Sequence, residues 1–403
     1  MTRLAYIVSH PIQYQAPLLR RIAMEKDIHL TVLFLTDFTS RPYGDTGFGQ
    51  AISWDVDLLS GYRWKVLPAW GYRDSVAFWK PLTVGVEQEV TSGNYDVIWL
   101  HGYAHQAHLR ALVAAKRRGL KVLLRGETHK TSTRQSVLRS AIKKIVMRRL
   151  FRHVDGFLAI GTANRDYYLS HGVAPEKIFM MPYAVDNERF QAAAIGHARH
   201  TVADMLGLTG NRPIILYASK LQRRKRPWDL WTAYERLSPN GVDEPIPYLV
   251  FVGEGSERQA LEAMAARKGW NSVRFAGFRN QTELPAFYAA ADVLVLPSER
   301  EPWGLVINEA MNAGTPVIVS DQVGAAVDLV EEGVNGYVVP VGDIEMLTSR
   351  LRCITSNPTL ARSMGASSLA RISRWDFEAD VAGLTQALAA TSGGSRCGQA
   401  STI

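Results

Sequence analysis

The stretch Asp292-Val-Leu-Val-Leu-Pro297, followed by Ser298-Glu-Arg-Glu-Pro-Trp-Gly304 and Leu305-Val-Ile-Asn-Glu-Ala-Met-Asn312, decides the fold. Its first part is apolar on both faces, which predicts a strand buried inside a parallel sheet. Its last part predicts a helix whose first turn follows Gly304. The free backbone N–H groups of Gly304, Leu305 and Val306 would then form an anion-binding site just after the strand, where ligands of such sheets bind.

The same alternation of short apolar runs and helix-length amphipathic stretches continues in both directions. The strands predicted in the first half are Leu4–Ser9, His29–Leu35, Trp64–Leu67, Val97–Leu100, Val122–Arg125, Gly156–Ile160 and Ile178–Met181. A second series comprises Ile214–Ala218, Tyr248–Val252, Ser272–Phe275, Val293–Leu296, Val317–Val319 and Tyr337–Val339. A chain of 403 residues is too long for one ordinary core. The sequence therefore predicts two doubly wound parallel-sheet (Rossmann-like) α/β domains facing a central cleft.

Composition places the domain boundary in the Ala-rich, polar stretch Gln191–Gly210. We expect a first domain over residues 1–195 and a second over 196–372. Residues 373–390 are predicted to form a C-terminal helix that crosses back to the first domain, and 391–403 a flexible tail. The connection Thr36–Trp54 is longer than most, which predicts a functional or mobile loop.

Bulk composition is typical of a globular enzyme, with 47% hydrophobic and 21% charged residues. No apolar run approaches the length of a membrane span or of a signal peptide, and this predicts a cytoplasmic location. Cys353 and Cys397 lack the spacing of a disulfide framework or of a zinc site. The acids of Asp55-Val-Asp57 are interpreted as surface groups, so no bound metal is predicted.

The net charge of +8 is concentrated between Arg110 and Arg152, where fourteen Lys and Arg accompany a single acid, Glu127. Within this range Thr133–His153 predicts a helix. One interpretation is a packed helix with a solvated basic face. The other is a surface that contacts anionic lipid or receives an anionic or lipid-linked acceptor. Nucleic acid is not predicted as a partner, because no recognition module is present.

Several groups able to bind a charged, hydroxyl-rich ligand follow strands of the second half. Lys220 and Lys225 lie in Ala218-Ser-Lys-Leu-Gln-Arg-Arg-Lys-Arg226, and Gly253 lies in Phe251-Val-Gly-Glu-Gly-Ser256. Glu301 and Glu309 flank the predicted anion site, and carboxylates are good acceptors for sugar and ribose hydroxyls.

Glu301 and Glu309, with seven residues between them, resemble the E-x7-E motif of family 4 retaining glycosyltransferases (glycosyl transferases group 1), which have the GT-B fold. The resemblance implies that Glu301 contacts the transferred sugar and Glu309 the ribose. Lys220 and Lys225 stand at the two cationic positions of the family's G-R-L-x-x-x-K-G loop, which neutralises the donor diphosphate. Ser219, Lys220 and Arg226 depart from that motif.

Further positions are assigned by the same resemblance. His101 matches the family's strand-end histidine near the transferred sugar, and Phe278 falls where a family loop meets the nucleotide base. Arg125 and Glu127 occupy the place of a second histidine and could contact the acceptor or the sugar. The first loop lacks the Gly-Gly often found in the family, and three of its residues are predicted to line the acceptor side: His10, Gln13 and Tyr14.

Taken together, the resemblance implies retaining transfer of a sugar from a UDP- or GDP-sugar to a hydroxyl acceptor, without metal or cofactor beyond that nucleotide-sugar co-substrate. The leaving phosphate would take the acceptor proton, and His101 would orient the reacting groups. The acceptor could be a sugar, a lipid-linked sugar or a small molecule, in cell-surface polysaccharide or glycoconjugate synthesis. Two alternatives are a nucleotide-sugar 2-epimerase of the same fold and a non-catalytic nucleotide-sugar-binding protein. Peripheral attachment to the inner face of the plasma membrane is a further expectation.

Overall fold

A computed structural model describes residues 1–71, 73–128, 137–194, 196–237 and 246–392. The strands are β1 Thr2–Val8, β2 Ile28–Phe34, β3 Tyr43–Asp45, β4 Gln50–Ile52, β5 Arg63–Val66, β6 Ala69–Trp70, β7 Leu82–Thr83, β8 Val97–His101, β9 Lys121–Arg125, β10 Gly156–Ala159, β11 Ile178–Met180, β12 Ile214–Ala218, β13 Tyr248–Val252, β14 Val273–Gly277, β15 Val293–Leu296, β16 Val317–Ser320 and β17 Gly336–Val339.

Helices lie between most of these strands. They are α1 Gln15–Ala23, α2 Val86–Ser92, α3 Gln106–Arg117, α4 Val137–Phe151, α5 Thr162–Ser170, α6 Asn187–Ala194, α7 Ala198–Leu206, α8 Pro227–Glu235, α9 Arg258–Lys268, α10 Leu284–Ala290, α11 Leu305–Asn312, α12 Ala326–Leu329, α13 Ile344–Thr355, α14 Pro358–Ile372 and α15 Phe377–Ser392. The predicted helix Thr133–His153 is observed as α4, while residues 133–136 lie outside the described chain.

The chain forms two compact units. The second unit holds Gly44–Val56 and Ala184–Asp376, and the first holds the rest of the described chain. The main part of the second unit begins at Ala184, earlier in the chain than the predicted domain boundary between residues 195 and 196. The segment Gly44–Val56 lies within the range predicted as the first domain, yet it packs with the second unit.

A seven-stranded parallel sheet in the order β11-β10-β9-β8-β1-β2-β5 forms the centre of the first unit. Its inner strands are buried on both faces, as Leu4, Ala5 and Ile7 of β1 illustrate, which explains their continuous apolar sequences. The C-terminal helix α15 belongs to this unit. It approaches β11 so closely that a Cβ atom on Gly383 would lie 1.9 Å from the carbonyl oxygen of Met180.

A six-stranded parallel sheet in the order β14-β13-β12-β15-β16-β17 forms the second unit. Every strand predicted from an apolar run is present in one of the two sheets, within a residue or two at its ends. The prediction missed β3, β4, β6 and β7, which pair in two small separate sheets. These strands are two or three residues long, too short to show the period of a strand.

Candidate functional site

The helix N-terminus predicted to bind an anion in the second unit follows β15, one of the inner strands of its sheet. Helix α11 begins at Leu305, directly after Gly304, as predicted. Gly304 has φ of 101°, a conformation that favours glycine. A Cβ atom there would also lie 3.1 Å from Leu296 Cδ2 and 3.2 Å from Val323 Cγ1. The backbone conformation favours glycine at this helix N-terminus, and a larger residue would also crowd these two side chains.

Lys225 and Glu301 meet at this site. Lys225 Nζ donates a hydrogen bond to Glu301 Oε2, and the two side chains are only 10% and 14% exposed. Burial, followed by the positive charges of Arg224 and Lys220, lowers the pKa of Lys225 to about 7. An added anion would raise the pKa of Lys225 again, because it would stabilise the ammonium form.

The loop that carries both lysines is shaped by unusual backbone positions. Arg226, at the last glycine position of the family motif, has φ of 52° and caps α8. Gly253, on the neighbouring loop, has φ of 133°, and a Cβ atom there would lie 2.2 Å from the carbonyl oxygen of Ser219. The glycine therefore allows this loop to lie directly against the lysine loop at residues 219–220.

Glu309 lies on α11 with only 8% of its surface exposed. Its Oε2 accepts a hydrogen bond of 2.5 Å from the hydroxyl of Tyr288. Burial raises the pKa of Glu309, although the Tyr288 hydrogen bond opposes the increase. Phe278, the predicted base contact, packs edge-on against Phe48, with ring centroids 5.0 Å apart.

A separate polar cluster occupies the ends of strands in the first unit. His101 ends β8 and Glu127 follows β9, and their Nε2 and Oε1 atoms are 3.2 Å apart. The Tyr6 hydroxyl lies 2.8 Å from His101 Nδ1, and Gln15 Nε2 lies 3.0 Å from His101 Nε2. The imidazole is therefore fixed on both of its nitrogens.

Glu127 receives hydrogen bonds from two tyrosines, Tyr183 and Tyr14, the latter at 3.1 Å. Burial alone would raise the pKa of Glu127, but the hydrogen bonds and charge of His101, together with the tyrosine hydroxyls, lower it to about 2. The side chain is still 39% exposed. The cluster thus holds an accessible carboxylate that stays ionised at neutral pH.

The sequence interpretation did not single out Tyr6, Gln15 or Tyr183. Tyr183 comes soon after the end of β11, and its neighbour on the chain, Pro182, follows the last predicted strand of the first half. Its position was a usable signal, since side chains after parallel strands share one edge of the sheet. Gln15 lies in the same loop-to-helix stretch as the predicted His10, Gln13 and Tyr14.

The prediction that Arg125 contacts the acceptor or the sugar is wrong. Its side chain is 1% exposed and pairs with the equally buried Asp380 of α15, at 2.9 Å. Arg125 also donates a hydrogen bond of 3.1 Å to the carbonyl oxygen of Met181. The guanidinium therefore fixes α15 to the sheet and cannot meet a ligand.

The remaining acceptor-side candidates lie in the first loop. His10 contacts the ring of Phe38, with centroids 5.1 Å apart, and its Nδ1 is 2.9 Å from Ser9 Oγ. Burial, followed by the charge of His101, lowers the pKa of His10 to about 4. This imidazole is neutral at physiological pH. Gln13 and Tyr14 are half-buried.

Within the described ranges, no three His, Cys, Asp or Glu side chains are grouped so that they could hold a metal ion. Asp55 instead accepts a hydrogen bond of 3.1 Å from the backbone N–H of Gln281. Among the described helices, none is both long and apolar enough to cross a membrane.

Two doubly wound parallel-sheet units in one chain are the architecture of the GT-B class of α/β proteins. In the second unit, a helix that starts after a glycine lies beside paired Lys and Glu side chains. Solved structures confirm the predicted fold. The HepE protein of Anabaena in complex with UDP superposes with a TM-score of 0.74 at 21% identity, over 96% of this chain and 100% of that one. Two family models match the chain, glycosyl transferases group 1 over residues 201–370 and the glycosyl transferase 4-like domain over residues 24–184. Together these matches support a GT-B glycosyltransferase of group 1.

Curated relatives agree with this assignment. A D-inositol 3-phosphate glycosyltransferase of Jonesia denitrificans is 31% identical over 51% of this chain and 50% of its own length. The chain thus spans about half of that relative, and the same holds for its counterpart in Streptomyces bingchenggensis. A GDP-mannose-dependent alpha-(1-6)-phosphatidylinositol monomannoside mannosyltransferase of Mycolicibacterium smegmatis is 28% identical over 71% of this chain and 74% of its own length.

Proposed function

We propose that this protein transfers a sugar, with retention of configuration, from a UDP- or GDP-sugar to a hydroxyl acceptor. The observation that carries the proposal is made in the second unit, where the α11 N-terminus after Gly304 adjoins the buried Lys225–Glu301 pair. Two similarities support the choice of donor. HepE has been solved with UDP-glucose, and the mycobacterial relative depends on GDP-mannose.

Departure of the nucleoside diphosphate is the demanding step of such a transfer, and fixed positive charge on the leaving group is the main means of assisting it. Lys220, Lys225 and the backbone N–H groups of Gly304, Leu305 and Val306 supply that charge. Glu301 and Glu309 hold sugar and ribose hydroxyls, which donate to their carboxylates. The acceptor proton passes to a phosphate oxygen of the leaving group, so neither metal nor further cofactor takes part.

On the acceptor side, the first unit offers the cluster of His101 and Glu127. With a pKa of about 2, Glu127 is too weak a base to remove a hydroxyl proton at neutral pH. Its carboxylate can instead accept a hydrogen bond from the acceptor, while His101 orients the sugar. Tyr14 and Gln13 line the same side, with the neutral His10 close by. A polysaccharide or glycoconjugate made from cytoplasmic precursors is the product class we propose.

Calorimetry with UDP, GDP, ADP and their common sugars tests the donor assignment. The Glu301→Gln variant should bind the sugar nucleotide more weakly than the wild type, whereas the matched variant of the exposed neighbour Glu299, Glu299→Gln, should not. If the protein binds none of these nucleotides, the result contradicts the proposal.

Product analysis separates the alternatives. A transferase gives a glycosylated acceptor and a nucleoside diphosphate. A 2-epimerase gives free nucleotide and an epimerised sugar without an acceptor, and a binding protein gives neither. The comparisons favour neither alternative, since the family matches are to glycosyltransferases.

A second proposal concerns the basic helix α4, which we propose contacts an anionic membrane surface. Three of its apolar side chains are exposed on one face, Ile142 by 53%, Ile145 by 55% and Val146 by 56%. They lie among the cations Lys143, Lys144, Arg148, Arg149 and Arg152. Exposed apolar residues flanked by cations fit the interface of an anionic bilayer.

A cavity of about 370 Å³ adjoins this helix and is lined by cationic side chains that include Arg148, Arg152 and Lys177. It could receive a lipid phosphate. We expect sedimentation with vesicles rich in phosphatidylglycerol, but not with phosphatidylcholine alone. The double variant Ile145→Ser/Val146→Ser should lose this binding, whereas Val113→Ser, at an exposed valine of α3, should keep it. Equal sedimentation of both variants contradicts membrane contact through α4.

A further inference from the structure

The segment Gly44–Val56 packs with the second unit through hydrogen bonds at both of its ends. At one end Asp55 accepts from the backbone N–H groups of Gln281 and Thr282, each at 3.1 Å. At the other end Gln222 Nε2 donates to the carbonyl oxygen of Gly47 at 3.2 Å. This segment therefore contributes side chains to the lysine loop of the proposed donor site.

The side-chain ammonium group of Lys220 is held by this segment. Its Nζ atom lies 2.8 Å from Asp45 Oδ1 and 3.0 Å from Asp45 Oδ2, and 4.3 Å from the centroid of the Phe48 ring. A Cβ atom on Gly47 would lie 2.5 Å from the same nitrogen. The Lys220 and Asp45 side chains are 29% and 18% exposed, so water screens this ion pair only in part.

The carboxylate is more firmly fixed than the ammonium. Asp45 Oδ1 also accepts from the backbone N–H groups of Gly47 at 2.7 Å and Phe48 at 3.0 Å. The ammonium of Lys220, by contrast, sits on a flexible four-carbon stem. When another anion competes for this cation, the lysine side chain can turn while Asp45 stays in place.

We infer that Asp45 is an internal counter-anion of Lys220 that the donor diphosphate displaces, and that it thereby sets the donor affinity and its dependence on phosphate number. This inference rests on the proposed function, in which Lys220 binds the diphosphate. Binding then leaves the fixed Asp45 carboxylate without its cation and close to a second anion. Both costs fall only on a ligand that engages Lys220, so the pair weakens the binding of a diphosphate most, that of a monophosphate less and that of a nucleoside not at all.

The Asp45→Asn variant tests the inference by calorimetry with a nucleoside diphosphate, its monophosphate and the free nucleoside. Asparagine keeps the Oδ1 acceptor for Gly47 and Phe48 but removes the charge. Taking about 1 kcal/mol for a partly screened ion pair, we expect roughly fivefold tighter diphosphate binding. The monophosphate should gain less and the nucleoside nothing. The control Asp204→Asn makes the same charge change at a 70% exposed residue of the same unit and should bind like the wild type.

Diphosphate binding by Asp45→Asn that is equal to or weaker than that of the wild type overturns the inference, as does an equal gain for the nucleoside. If the wild type binds none of the nucleoside diphosphates, the proposed function itself fails, which is a distinguishable outcome. Should Asp45→Asn not fold, Asp45→Ser offers a second test, because a serine hydroxyl can also accept from the turn N–H groups. The same gain is expected of it.

Discussion

The buried pair of Lys225 and Glu301 allows stability and ligand binding to be separated by a double-mutant cycle. The perturbations are Lys225→Met, which keeps the length of the side chain, Glu301→Gln, and the two combined. Only 10% and 14% of the two side chains are exposed. Removing one partner of a buried pair costs about 3–5 kcal/mol, because the other charge is left uncompensated. Since some solvent reaches this pair, we expect about 3 kcal/mol for Lys225→Met.

The double variant should recover most of that stability, since no charge remains to be compensated. Urea unfolding of the four proteins at pH 6, below the pKa of about 7 at which Lys225 loses its charge, measures these differences. Exposed ion pairs typically contribute less than about 1 kcal/mol to the free energy of unfolding. If Lys225→Met lowers that free energy by less than this amount, the pair is effectively solvated.

Nucleotide binding should follow a different pattern through the same four proteins. A hydrogen bond to a charged group contributes about 1.5–3 kcal/mol, so Lys225→Met should weaken nucleoside diphosphate binding by roughly 10- to 150-fold. The double variant should remain equally weak despite its recovered stability, because the phosphate still lacks its cation. Calorimetry measures the dissociation constant of the nucleoside diphosphate for each of the four proteins. Wild-type affinity in the double variant would refute Lys225 as the cation of the diphosphate.

Two further predictions concern proton uptake and the C-terminal helix. With its pKa lowered to about 7, Lys225 is mostly neutral at pH 8 in the ligand-free protein, and a bound diphosphate favours its charged form. Diphosphate binding at pH 8 should therefore take up about one proton, which calorimetry in two buffers of different ionisation enthalpy measures. If no proton is taken up, Lys225 is not the cation that binds the diphosphate. Arg125→Met should cost about 3–5 kcal/mol in urea unfolding because it strands the buried Asp380. Arg21 of α1 also pairs with a carboxylate of α15, Glu378, but that side chain is 66% exposed. Arg21→Met should therefore lower the free energy of unfolding by less than about 1 kcal/mol. Equal losses for Arg125→Met and Arg21→Met would refute the special role of the buried pair.

Much of the fold could be read from local sequence. The strand Val293–Leu296 and the helix starting at Leu305 were predictable because burial on both faces leaves a continuous apolar run, and because a glycine can end a loop in the left-handed conformation. The predicted helix start is confirmed by the φ of 101° at Gly304. The short pairs β3–β4 and β6–β7 were missed, since strands of two or three residues carry no period.

The candidate site residues were likewise predictable only where local sequence marks their position. Lys220, Lys225, Glu301 and His101 could be singled out as candidates because each follows or ends a strand, and strand ends converge at one edge of a parallel sheet. Arg125 occupies an equivalent position, yet it is buried by Asp380, which lies 255 residues further along the chain. A basic residue at a strand end has the same local sequence whether its partner is a ligand or a distant carboxylate.

What the sequence by itself determined is therefore the order of strands and helices along the chain, the glycine before α11 and the chemical types of the candidate groups near it, since all of these depend on neighbours within a few residues. Tertiary structure alone decided which charges are already paired. Asp45 meets Lys220 across 175 residues, and the segment that carries it packs with the second unit although it precedes most of the first. Such pairing depends on the path of the folded chain, because an ion pair forms wherever packing brings opposite charges together, whatever their separation in sequence.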